Sequence, residues 1–155
     1  MTALLNSDVR RAAERSVLCW LATVDETGQP NVSPKEIFAI LDDEHLVIAN
    51  IASPGSARNI RLNGKVCLSF IDILIQKGFK VLGVATDVKP SAPEYPDLVA
   101  PLRALAGERF PIHSVFHIRA SAVEPVIAPS YRLFAETTEA AQIQSALRTY
   151  GLRRE

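Results

Sequence analysis

Two cysteines, one tryptophan and seven glycines are all that this 155-residue chain holds of those types, and each scarcity removes a class of protein. Two thiols do not make the framework of a disulfide-stapled scaffold. Cys19 (in Val17–Leu21) and Cys67 (in Val66–Phe70) both sit in apolar runs, where cysteine acts as a small buried hydrophobe. An excess of positive charge is missing too. Lys+Arg and Asp+Glu both number 17, so the basic face that nucleic-acid binding needs is not expected. No apolar run approaches the ~20 residues of a membrane span, and Met1–Arg15 carries no apolar leader segment. A cytoplasmic protein without nucleic-acid or membrane partners is expected. Hydrophobic residues at 48% and charged residues at 22% fit one globular domain over residues 1–155.

Catalytic signatures are also missing. There is no nucleophile elbow with an ordered Ser-His-Asp set, no Cys-x-x-Cys, no P-loop and no dinucleotide glycine fingerprint. His113 and His117 are four apart, a metal-ligand spacing on a helix. On a strand the same spacing spans about 13 Å, so both read as structural histidines, and His45 shows no partner. No catalytic residue and no metal set is assigned.

What is present is a run of β signals framed by helices. Asn6 or Ser7 caps a helix over Asp8–Arg15. Strands follow at Val17–Val24, Val32–Leu41 and His45–Ile51, joined by turns at Asp25–Pro30 and Asp42–Glu44. Ser53 as N-cap, Pro54 at N1 and Asn63-Gly64 as a stop define a short helix. Two more strands, Lys65–Ile75 and Phe79–Val88, meet at a turn Gln76-Lys77-Gly78. A helix over Asp97–Arg109 tolerates Pro101 because it falls in the first turn. A strand at Ser114–Val126 and a helix at Thr137–Tyr150 close the chain. Six short sequential strands suffice for a small antiparallel barrel with flanking helices.

The candidate chemistry gathers at two places. The first amides of a helix at Ser53 lack intrahelical partners and carry the positive end of the dipole. Gly55 allows close backbone approach, Ser53 and Ser56 add hydroxyls, and Arg58 and Arg61 reach the same end. That makes an anion site, although Ser-Pro opens many helices that hold nothing. Lys35 stands in an otherwise apolar strand, between Ser33-Pro34 and Glu36. Pairing of the second and third strands would bring it near the Asn50–Ser53 strand end, so that an ammonium faces helix amides across a phosphate. A lysine on an edge strand is the plainer alternative. The second place is Gln76-Lys77-Gly78, either donors toward a polar ring edge or a solvated hairpin tip. Asp72 is either a site residue or the partner of Lys77 or Lys80.

The order and spacing of Leu21-Ala-Thr-Val-Asp25, Gly28-Gln-Pro30, Val32-Ser-Pro-Lys35, Ile48-Ala-Asn-Ile51, Ser53–Asn63, Val66–Asp72 and Gln76–Lys80 leading to Gly83 resemble the pyridoxamine 5'-phosphate oxidase-like FMN-binding split β-barrels, over Val17–Pro129. The resemblance implies a six-stranded antiparallel split barrel, a homodimer, and FMN sites at the dimer interface. It implies that Ser33, Pro34, Lys35, Glu36 and Ile37 lie along the flavin. Ala49, Asn50 and Ile51, with the loop of Ser53, Ser56, Arg58 and Asn59, would hold the phosphate, and Gln76, Lys77 and Gly78 would approach the isoalloxazine ring. The lysine that many relatives carry around Gly55 or Ser56 is missing here, so Lys35 or Arg58 supplies the charge. The arginines that read pyridoxal phosphate have no match, which leaves the substrate open. A small flavin-dependent oxidoreductase is the leading expectation. The alternatives are a non-enzymatic flavin, haem or deazaflavin module, or a dimer that has lost its cofactor.

Overall fold

A computed structural model describes residues 3–153. The elements are α1 (Ser7–Arg15), β1 (Cys19–Val24), β2 (Pro30–Lys35), β3 (Phe38–Ile40), β4 (His45–Asn50), α2 (Pro54–Leu62), β5 (Lys65–Asp72), β6 (Lys77–Val88), α3 (Tyr95–Ala106), β7 (Ser114–Ile127), α4 (Ser130–Leu133) and α5 (Glu139–Tyr150). The strands form one antiparallel sheet in the order β2-β1-β5-β6-β7-β4-β3. β2 and β3 lie at its two edges, yet only Glu36 and Ile37 separate them in the chain. The sheet therefore curls until its edges meet, which is the split barrel. The expected strand Val32–Leu41 is thus two strands, and the count is seven among the described residues rather than six. The turn at Glu36-Ile37 carries no glycine or proline to announce it.

Period-two burial builds the interior. Leu21, Leu46, Ile48, Leu68, Phe70, Val81, Phe116 and Ile118 point inward, because successive side chains of a strand face opposite sides. α1 adds Val9 and Ala13 and packs on β5 and β6, while α2 adds Ala57 and Ile60 and packs on β1, β2 and β6. A second apolar cluster forms on the outer side of β4 and β7, where Val47, Ala49, Val88 and Val115 meet Tyr95, Leu98, Val99 and Leu102. Among the described residues α1 and α2 pack with the interior and α3 on β3, β4 and β7, which leaves the outer face of β2, β1, β5 and β6 without a packed helix. Register aligns Val32, Ala22, Cys67 and Leu82 in one row and Pro34, Trp20, Ser69 and Lys80 in the next. Trp20 is 47% exposed and Val32 60%.

Three local expectations change. The β5–β6 turn is centred before Gly78: Asp72 accepts hydrogen bonds from the amides of Leu74 (2.9 Å) and Ile75 (3.4 Å), and Gln76 takes the positive φ of 54°. Asp72 is thus a turn cap and makes no ion pair with Lys77 or Lys80. Gly78 lies in β6 opposite Ile71, where a Cβ would fall 2.0 Å from the Phe70 carbonyl oxygen. It is required by close backbone approach, not by the turn. α3 begins at Tyr95, so Pro101 sits in the helix interior, beyond the first turn. The buried Tyr95, Leu98, Val99 and Leu102 hold that helix despite the missing amide. α4 was not anticipated from the sequence. No helix among the described residues is long and apolar enough to cross a membrane.

Candidate functional site

Inward-facing positions of β2 should be apolar in a barrel wall. Here they are Asn31, Ser33 and Lys35, paired in register with Thr23, Leu21 and Cys19. α2 explains the polarity, because it lies against this face with Ser53, Ser56 and Asn59. Asn31 Nδ2 donates to Thr23 Oγ1 (3.2 Å) and Ser56 Oγ (3.4 Å). Ser33 Oγ and Ser56 Oγ are 3.1 Å apart, and Asn59 Nδ2 donates to Thr23 Oγ1 at 3.1 Å. Lys35 Nζ donates to Ser53 Oγ. These contacts form a polar seam that ties the edge strand to the helix.

Lys35 is the feature the seam does not account for. It is only 7% exposed, and among the described residues no carboxylate pairs with it. Burial lowers its pKa below the ordinary lysine value, with the Cys19 thiol only partly opposing that shift. Cys19 is itself driven up to about 12 by burial, so it offers no negative charge at neutral pH. A buried ammonium whose hydrogen-bond partner, among the described residues, is a single hydroxyl is costly to hold. A second unmet group is close by: Asn59 Oδ1 is buried without a partner.

The start of α2 adds unmet donors. Ser53 occupies the N-cap, but its side chain makes no capping hydrogen bond. Its backbone amide donates to Asn50 Oδ1 (3.2 Å), and Asn50 Nδ2 donates to Ser114 Oγ (2.9 Å). The loop is therefore braced from outside while the Ser53 hydroxyl faces Lys35. Pro54 has no amide to satisfy, and the next amides stand at the positive end of the helix.

The sequence-derived candidates divide in space. Ser33, Lys35, Ser53, Ser56 and Asn59 come together. Asn50 braces their loop. Ala49 and Ile51 turn their side chains into the α3 cluster, so only their backbone borders the site. Pro34 and Glu36 are exposed. Arg58 is exposed and faces Asp25, whose carboxyl is held below its usual range by hydrogen bonds to Thr27 and Gln29 and, least, by this charge. Arg61 pairs with Asp87 at 2.7 Å, and so does Lys89. Gln76, Lys77 and Gly78 lie three strands from Lys35, about 14 Å along the sheet, and Lys77 binds Glu139 (2.8 Å) and covers the Tyr131 ring (4.3 Å). Thr23 and Asn31 escaped the sequence reading. The signal was available: polar residues at 31, 33 and 35 mark one face of a strand that elsewhere should be core.

A protein-family model described as pyridoxamine 5'-phosphate oxidase matches residues 5–143. The chain belongs to that family. Among solved structures, a pyridoxamine 5'-phosphate oxidase-like protein of Lactobacillus delbrueckii shares 26% identity, with a TM-score of 0.65 over 79% of this chain and 95% of that one. An FMN-binding protein of Syntrophomonas wolfei shares the fold at 14% identity, TM-score 0.63, over 76% of this chain and 83% of its own. HutZ, a haem storage protein of Vibrio cholerae, does so at 21% identity, TM-score 0.60, over 79% and 94%. No curated protein matches the chain.

Proposed function

We propose that this protein is an FMN-binding flavoprotein that works as a homodimer, as a small flavin-dependent oxidoreductase in the cytoplasm. The observation that carries the reading is Lys35, a buried ammonium without a counter-charge beside the uncapped start of α2. A phosphate ester supplies what this place lacks: negative charge for the ammonium and acceptors for the helix amides. Lys35, Ser53 and Ser56 would hold it, and Ser33 with the β2 backbone would border the rest of the cofactor. FMN, when bound, supplies the electron and hydride transfer, and the chain binds and orients it. Family membership and the FMN-binding relative support the choice of flavin. Haem would need an axial ligand; none of the side chains that bond across the seam is a histidine, methionine or free thiolate, and the histidine nearest the start of α2 is His113, in the groove with Asn50 and Ser53. The uncovered face bearing Trp20, Val32, Ala22 and Leu82 supports a second copy of the chain as its partner, since an apolar sheet face of this kind is seldom left in water.

Titration of the protein with FMN, followed by quenching of flavin fluorescence, tests this. A charge-assisted hydrogen bond contributes about 1.5–3 kcal/mol, so Lys35→Ala should weaken binding roughly ten- to hundredfold. Arg58→Ala, whose guanidinium faces Asp25 instead, should change affinity less than about threefold. Equal affinity of wild type and Lys35→Ala would remove the assignment. Sedimentation of Val32→Asp checks the dimer: a charge in that row should shift the chain toward monomer.

A further inference from the structure

Away from the seam, β4 and β7 place two histidines side by side. His45 pairs in register with Arg119 and His117 with Val47, so both rings stand on the outer face, two residues apart along the strands. Their centroids are 5.2 Å apart with an interplanar angle of 35°. They line an open groove with Glu44, Thr86, Arg119 and Ser121. His45 Nδ1 lies 3.0 and 3.1 Å from the two carboxylate oxygens of Asp42, the geometry of an Nδ1–H that donates to the carboxylate and leaves Nε2 facing away from it.

We infer that His45 and His117 form a binding site for a divalent transition-metal ion of the zinc and copper class. The spacing has the right size. A ligating imidazole nitrogen stands about 2.0–2.1 Å from Zn²⁺, and two imidazoles sharing one tetrahedral ion have ring centroids about 5 Å apart. The outer partner is also in place, because ligating histidines commonly donate their second N–H to a carboxylate, which fixes the tautomer and raises the basicity of the ligand. Asp42 is that carboxylate. The electrostatics agree: Asp42, Glu44 and Glu94 surround the pair against Arg119, which is itself near Glu44 at 3.8 Å. Among the described residues no group of three or more His, Cys, Asp or Glu is placed to hold a metal ion. The site therefore supplies two nitrogens and leaves the remaining positions to water or an exogenous ligand.

The same ring spacing suits two imidazoles that merely pack, and the experiment separates the two. Tag-free protein is titrated with Zn²⁺ by calorimetry and with Co²⁺ by visible absorption. One ion per chain is expected, with a Co²⁺ ligand-field band. His45→Ala and His117→Ala should each weaken binding at least tenfold and remove that band, Asp42→Asn should weaken it roughly tenfold, and His113→Ala should change neither. FMN affinity should be the same in the His45, His117 and Asp42 variants, so the outcome is independent of the flavin assignment. No uptake by the wild type, or equal uptake by a folded His45→Ala/His117→Ala double variant, would overturn the site.

Discussion

α1 and α2 are both nine residues long, both pack on the barrel interior, and are finished in opposite ways. At α1, Asn6 Oδ1 accepts from the amides of Asp8 (3.0 Å) and Val9 (3.1 Å), Asp8 sits in the first turn, and the buried face is Val9 and Ala13. At α2 no side chain caps the first turn, no acidic residue lies there, and the buried set is Ser56, Ala57, Asn59 and Ile60. A helix whose only task is packing is given its cap and an apolar face. One that forgoes the cap, buries polar groups and stands beside an unpaired ammonium is arranged for something outside the chain. That difference, more than any single residue, locates the site.

The largest effect expected from breaking the comparison lies on the α1 side. Leu5 is fully buried just ahead of α1 and serves packing alone. Leu5→Ala should lower stability by about 2–5 kcal/mol, read from urea unfolding, while the FMN affinity of the folded fraction stays as in the wild type. A parallel loss of affinity would show that the two helices are not separable in this way.

The caps give a smaller and sharper contrast. Asn6→Ala removes two hydrogen bonds to free amides and should destabilise by about 1 kcal/mol without touching flavin binding. Ser53→Ala removes no cap, but it deprives the buried Lys35 ammonium of its hydroxyl partner and should cost about 1–3 kcal/mol in the free protein; it also takes away a hydroxyl at the proposed phosphate and should weaken FMN binding. A Ser53→Ala variant that loses stability and keeps its FMN affinity would make α2 an ordinary structural helix.

The same contrast explains what was legible in the sequence. Asn6, Ser53-Pro54 and Asn63-Gly64 announced both helices, because capping chemistry is local. The turn Asp25–Pro30 was equally plain: Asp25 accepts from the amides of Thr27 and Gln29, both at 2.9 Å, and Gly28 takes φ of 88°. The proximity of Lys35 to Ser53 was expected from pairing of the second and third strands, but β2 pairs with β1 and not with β4; α2 lying over the inner face of β2 brings Ser53 to the ammonium. What escaped depended on long-range register. The break at Glu36-Ile37 arises because the sheet must curl back on itself, which no local residue dictates. The place of Gly78 within β6 is set by the approach of the Phe70 backbone. His45 and His117 are 72 positions apart in the numbering, and only the pairing of β4 with β7 brings them together. His113 and His117, whose spacing would suit metal ligands only on a helix, were set aside as a pair from the sequence, and His117 does lie on a strand. Within one chain Gln76–Gly78 lie three strands from the seam and Lys77 is engaged by Glu139 and Tyr131, so an approach of these residues to the flavin ring would have to come from a second copy.

The finest test of the comparison is pH, because one group should move binding and stability in opposite directions. Burial sets the Lys35 pKa below 10.5, its ordinary value. A phosphate needs the ammonium form, so FMN affinity should fall as pH rises through the depressed value, approaching tenfold per pH unit once the amine is neutral. Lys35→Arg stays charged throughout, and its affinity should be flat over the same range. For the unliganded protein the sign reverses. Between the depressed folded value and 10.5 the unfolded chain binds the extra proton, so this group's contribution to stability rises with pH. Cys19 acts against it from about pH 9, since its thiol is raised from 9.0 to about 12 by burial and the unfolded chain ionises first. The difference between wild type and Lys35→Met isolates the lysine. α1 has no group of this kind, and a variant there should lower the stability profile without changing its slope and leave the affinity profile where it is. A wild-type affinity flat with pH, alongside the stability difference just described, would mean that Lys35 is buried for some purpose other than holding an anion.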